Sequence, residues 1–213
     1  RLRAFHRIAQ ETGRYLVILP RDAYLLDALR LLDPEVPQVG GHILIYGELK
    51  GKRERWEGKV LKRHRGSLLS PGEVRRRQEV LILCFSFYDL NELPTLQPRE
   101  GSLYLYSSHE AFEEEQALDF GRLMNWLDYY GIRPLGVPRP MPGARAEIPE
   151  GERGYHSSGH ASRNDLIEIV RAIGPSILVP VHCPPAGHRF YRERLAGTGI
   201  DVRVPEYGKP IPL

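Results

Sequence analysis

Apolar positions along this chain alternate between helical and strand spacings. Leu2, Phe5, Ile8 and Ala9 share one helical face, and Gly13 supplies a C-terminal stop. Tyr15 to Leu19 is an apolar run of strand length. Asp22 then stands as a candidate N-cap for a helix carrying Leu25, Leu26, Leu29 and Leu32, which ends before Pro34. His42 to Tyr46 reads as a second strand. Ser70-Pro71-Gly72-Glu73 has capping-box spacing with proline at the first helical position. Val80 to Phe85 is apolar throughout and predicts a fully buried strand. Ser102 to Tyr106 predicts another, followed by Ser107-Ser108 and a long helix from about Glu110 to Tyr130. Phe112, Phe120, Trp126 and Tyr130 recur there at helical spacings, which points to core packing rather than base stacking.

From Pro134 to Gly154 the chain is rich in proline and glycine with little periodicity, as expected of a crossing loop or linker. A compact unit follows. Ser162 caps a helix with Leu166, Ile167, Ile169 and Val170 on it, and Gly174-Pro175 ends that helix. Ile177 to Val181 predicts a strand stopping at His182, with a short helix near Arg189 to Leu195 and a strand near Val202 to Val204 beyond. Helices alternating with short apolar strands imply an α/β fold with a mostly parallel sheet.

Composition narrows the class without naming a function. A hydrophobic fraction of 41% and a charged fraction of 27% are ordinary for a globular protein. No apolar run approaches the roughly 18 residues a membrane span needs, so no membrane contact is expected. Cys84 and Cys183 are too few for a disulfide scaffold, which makes a reducing cytoplasm the expected compartment. The net charge of +3 is small, but its distribution is uneven. Lys50, Lys52, Arg53, Arg55, Lys59, Lys62, Arg63 and Arg65 face only Glu54 and Glu57, with Arg75, Arg76 and Arg77 shortly after. With Trp56 inside it, this stripe reads equally as a track for a phosphate backbone or as a solvated helix.

The most specific stretch is YHSSGHASRNDLIEIVRAIGPSILVPVH, residues 155–182. It places His156 and His160 on a glycine-containing turn ahead of a helix N-terminus. His182 is expected at a strand's C-terminal end, where open α/β sheets place ligands. Converging imidazoles beside serine hydroxyls and helix amides could bind a metal and a phosphate together, while a histidine at a strand end is as readily an ordinary hydrogen-bonded residue. Cys183 next to His182 would point to the opposite face of a strand, which favours packing over ligation.

HSSGHAS followed by a helix and ILVPVH resembles the paired histidine motifs of the β-CASP nucleases, ribonuclease J in particular. YSSHEAFEEEQALDFGRLMNWL and RDAYLLDALRLLD are similar to the β-CASP domain of a ribonuclease J-like branch. The resemblance implies a mostly parallel β-CASP domain over residues 1–138, N-terminally truncated and nucleic-acid-binding. The C-terminal portion of a metallo-β-lactamase fold follows over residues 150–213. It implies His182 as a zinc ligand, His160 as the catalytic histidine near the scissile phosphate, and His156, Ser157 and Ser158 as RNA-phosphate contacts. Ser107 and Ser108 fall at a serine-bearing nucleic-acid loop, although Ser-Ser-His-Glu stands where ribonuclease J has a glycine-rich version. In that family two zinc ions lower the pKa of a bridging water to roughly 7, and the hydroxide attacks phosphorus.

The eight histidines, at 6, 42, 64, 109, 156, 160, 182 and 188, include no H-x-H pair. The family's histidine-x-histidine-x-aspartate-histidine motif is therefore missing, as is the acidic residue that usually opens the β-CASP insertion. With a start at Arg1 inside a helical pattern, the chain is expected to be a fragment, inactive alone and completed by an N-terminal metallo-β-lactamase segment. RNA and that segment are the expected partners, and a homodimer is an open state. Two other functions stay open: a catalytically inactive nucleic-acid-binding α/β module, and a DNA-directed β-CASP nuclease.

Overall fold

The protein is described from a computed structural model that covers residues 1–48, 54–107, 114–141, 144–155 and 161–211. It divides into two compact units, Arg1–Ser157 and Ser158–Leu213.

Unit 1 is built on a four-stranded parallel sheet. Helix α1 (Leu2–Glu11) leads through Gly13, in the left-handed region at φ 65°, into β1 (Tyr15–Ile18). Helix α2 (Pro20–Leu29) precedes β2 (Ile43–Tyr46), and α3 (Arg55–Arg63) precedes β3 (Leu68–Leu69). Helix α4 (Pro71–Arg76) returns the chain to β4 (Leu81–Leu83), giving the order β3-β2-β1-β4. Strand side chains alternate between faces. Leu16, Ile18, Ile43 and Ile45 therefore bury against α1, α2 and α3, while Val17, Leu19 and Tyr46 bury against Val74, Leu69 and Leu96 on the other side. Covering both faces explains why β1 and β2 are apolar without interruption.

The remainder of unit 1 packs around a second set of apolar residues. Helix α5 (Leu93–Leu96) and strand β5 (Leu103–Leu105) precede α6 (Glu114–Tyr129), and β5 pairs in parallel with β6 (Arg133–Leu135). Phe120, Leu123 and Leu127 of α6 bury against Leu90, Leu93, Ile132 and Val137. Trp126 and Tyr130 pack on the edge of this cluster, so with Phe120 they serve the core as expected, while Phe112 lies outside the described residues. An antiparallel hairpin, β7 (Arg139–Met141) with β8 (Ala144–Glu147), leads to a 3-10 turn at Glu150–Tyr155.

Unit 2 runs through α7 (Arg163–Ile173), β9 (Ile177–Leu178), α8 (Pro185–Arg194) and β10 (Asp201–Val202), with β9 and β10 parallel. Ile167 and Leu195 are its most deeply buried apolar side chains among the described residues. No helix among the described residues is long and apolar enough to cross a membrane.

Four expectations are corrected. Val80 to Phe85 is not a fully buried strand: β4 is the edge of its sheet, and Leu83 is 36% exposed. Asp22 is not the N-cap of α2, because Pro20 starts the helix and Asp22 occupies the third position. Its Oδ2 accepts the Leu19 N–H at 3.1 Å instead. The proline- and glycine-rich stretch is not a structureless loop, since it holds β6 and the hairpin. Finally, the strand expected to run to Val181 ends at Leu178. Its partner β10 offers only two residues, and Pro180 has no N–H to extend a ladder.

Candidate functional site

The chain beyond β9 carries His182. Pro180 is buried, whereas Val181 and His182 are exposed. His182 adopts φ 49°, a left-handed conformation that is uncommon for a residue with a Cβ. Such strain persists only where the surroundings over-determine it, and it clusters at binding and catalytic positions. Here the surroundings are visible. Pro184 caps α8 in an extended conformation, Pro185 opens the helix, and the Pro184 carbonyl accepts the N–H of Gly187 at 2.7 Å. Just before them, Cys183 folds its Sγ onto Gly187, so close that a Cβ at 187 would come within 2.4 Å of it. His182 is thus held on a turn between a short strand and a helix N-terminus, four residues past the strand end where it was expected. Cys183 is a packing residue, as anticipated, but because it seats the turn on Gly187 rather than because of strand alternation.

The helix after the first histidine motif is fixed as firmly. Ser162 Oγ accepts the Asp165 N–H at 3.2 Å, and Asp165 Oδ2 accepts the Ser162 N–H at 2.8 Å. These bonds from the Ser162 backbone and side chain hold the Asp165 carboxyl below its ordinary range. Gly174, left-handed at φ 59°, ends the helix where the sequence placed the stop. Arg163 stacks over the Phe190 ring at 5.7 Å and Arg194 over the same ring at 6.0 Å, which ties α7 to α8.

His156, Ser157, Ser158, His160 and Ser108 lie outside the described residues. Ser107 is half-buried directly after β5, where the Tyr106 N–H donates to the Leu135 carbonyl at 2.8 Å and the Tyr106 ring meets Phe120 edge-on. Ser107 belongs to unit 1 and His182 to unit 2. One residue in unit 2 was not singled out from sequence: His188 on α8, whose buried Nε2 has no hydrogen-bond partner among the described residues. Nothing in its spacing distinguishes it from a surface histidine, since its burial arises from the tertiary packing of α8.

The donor set can be tested against zinc. The ion takes three or four nitrogen, sulfur or carboxylate ligands at close range. No group of three His, Cys, Asp or Glu residues capable of holding a metal occurs among the described residues. His182 offers one imidazole, so the described residues alone do not make a zinc site.

Of the basic stripe, Lys50, Lys52 and Arg53 lie outside the described residues. Residues 55–63 form α3, which buries Val60 and Leu61 against the α1–α2 side of the sheet and leaves Lys59, Lys62 and Arg63 exposed. Arg63 Nη1 bonds Asp27 Oδ2 at 2.8 Å, and His64 Nε2 lies 3.0 Å from the same oxygen. Trp56 and Tyr24 rings meet at 5.3 Å on that surface, both exposed.

No curated protein matches the chain. One family does match over part of it, across α7, β9, the His182 turn, α8 and the start of the segment after β10. Residues 152–205 are similar to the Zn-dependent metallo-hydrolase RNA specificity domain.

Proposed function

We propose that this chain is part of a zinc-dependent RNA-processing nuclease that hydrolyses phosphodiester bonds, of the β-CASP, ribonuclease J-like kind. Residues 1–138 act in this reading as the nucleic-acid-binding β-CASP domain, and residues 150–213 as the C-terminal part of the metallo-β-lactamase domain. The observation that carries it is the family similarity over residues 152–205, because that stretch contains both histidine motifs. The strained, exposed conformation of His182 supports a role as one zinc ligand. The remaining ligands come from a metallo-β-lactamase segment bearing the H-x-H set that these residues lack. His160 holds a proton or donates a hydrogen bond at the phosphate or leaving oxygen, where charge develops. His156, Ser157, Ser158, Ser107 and Ser108 hold backbone phosphates. RNA is preferred over DNA because the matched domain is described by its RNA specificity.

Single-turnover cleavage of a labelled RNA by the assembled protein tests this. His160→Ala is expected to slow the chemical step by about 10²- to 10⁴-fold without changing zinc content. Wild-type rate in His160→Ala would remove that residue from the chemistry. Equal cleavage of matched DNA would move the enzyme to the DNA-directed class.

A further inference from the structure

The parallel sheet of unit 1 has a second chemically distinct edge. Tyr15 of β1 lies opposite Leu81 of β4, so the residues just before Leu81 sit at the N-terminal edge, away from the strand ends where open α/β sheets usually bind ligands. At this edge a concavity of about 580 Å³ is lined by Gly72, Arg75, Arg76, Gln78, Gln97 and Arg99. That volume falls within the roughly 300–1,000 Å³ of small-ligand sites. Its lining carries three guanidinium groups and no carboxylate.

The floor is rigidly built. Gln78 Nε2 donates to the carbonyls of Arg75 at 3.1 Å, Leu96 at 3.2 Å and Gln97 at 3.0 Å. Its Oε1 accepts the Arg99 N–H at 2.9 Å. One side chain thereby joins the end of α4 to the segment after α5. Gln97 is held left-handed at φ 46°, with its N–H on the Leu93 carbonyl.

The nearby acids leave the positive charge available. Glu73 is committed to the Ser70 cap. Glu79 pairs with Arg99 at 3.0 Å, but both groups are well exposed, and such a pair contributes little in water. Arg75 and Arg76 are exposed and form no ion pair among the described residues. Planar guanidinium groups match the oxygen geometry of phosphate.

We infer that the Arg75–Arg76–Arg99 pocket binds a phosphate group, carried either by an RNA strand or by a free nucleotide. Its strand form rests on the RNA reading proposed above, whereas its nucleotide form does not, and neither needs a metal.

Two binding measurements on the whole chain test it: polarisation of a labelled 12-nucleotide single-stranded RNA across a salt series, and adenosine monophosphate titration followed by the arginine side-chain N–H signals. In the Arg75→Ala/Arg76→Ala double variant, RNA affinity at 0.1 M salt is expected to fall at least about tenfold. The slope of log affinity against log salt should become shallower by about 1.4, or roughly 0.7 per lost phosphate contact. The double lysine variant should keep the slope, and Arg122→Ala, an exposed charge elsewhere, should bind as wild type. Nucleotide-induced shifts at Arg75, Arg76 and Arg99 with RNA affinity unchanged would assign the pocket to a free nucleotide. If neither ligand responds to these residues, the inference is overturned. Failure of RNA cleavage in the assembled enzyme would leave this result standing and remove only the proposed function.

Discussion

At the residue scale, the caps are where local chemistry and structure agree most closely. Ser70 and Ser162 were legible because a small hydroxyl followed three residues later by a carboxylate satisfies helix N–H groups from within the sequence itself. The conformation of His182 was not legible, because a positive φ in a residue with a Cβ is imposed by what surrounds it. Replacing His182 by glycine removes that strain, whereas alanine keeps it. His182→Gly should therefore be more stable than His182→Ala by about 1 kcal/mol in denaturant unfolding, though both lack the imidazole. Equal stabilities would mean the turn is relaxed. Gly187 is the companion case. Its role comes from the Cys183 sulfur lying on it, so Gly187→Ala must displace that sulfur from its seat. A lowered melting temperature is expected, and restoration by Cys183→Ala in the double variant would confirm the contact. The two thiols also separate. Burial, with Asp22 nearby, pushes Cys84 up to about 12, so at pH 7.5 it should resist alkylation until the protein unfolds, while Cys183 in its half-buried turn reacts first.

At the scale of elements, hydrophobic periodicity located most helices and strands of the parallel sheet, because β1 and β2 are covered on both faces. It misjudged β4, since an apolar run does not say whether its strand is central or at an edge. It also overlooked the β7–β8 hairpin, where Pro140 and Gly143 hide the strand pattern in composition. The capping box on α4 gives a pH-dependent prediction. Hydrogen bonds from the Ser70 backbone and side chain hold the Glu73 carboxyl below its ordinary range. A lowered folded-state value stabilises the protein above the unfolded pKa, and that contribution is lost as pH falls through the folded one. Ser70→Ala should cost about 1 kcal/mol near neutrality and less under acid. A cost that grows on acidification would contradict this sign. Between elements, the Tyr46 hydroxyl donates to Glu92 Oε2 at 2.8 Å, with both residues buried. Burial and this neighbouring carboxylate raise the Tyr46 pKa. Tyr46→Phe takes one bond from a buried carboxylate and should destabilise unit 1 by about 1–3 kcal/mol in urea unfolding.

At the scale of the molecule, the functional reading joins a family similarity in unit 2 to a sheet domain with basic surfaces in unit 1. The strand-to-histidine spacing in residues 155–182 made the candidate motif visible, because ligand residues recur at fixed distances around a helix and a strand. A full set of metal ligands was not legible there, because such sets converge from separate parts of a fold, and no group of three potential ligands occurs among the described residues. The measurement that bears most directly on the central claim is zinc content and RNA cleavage of this chain, alone and after assembly with an H-x-H-bearing metallo-β-lactamase segment. The chain alone should be inert, and the assembly should bind zinc and cut RNA, with both properties lost in His182→Gly despite its intact fold. An assembly whose zinc content and cleavage are indifferent to His182 would contradict that claim.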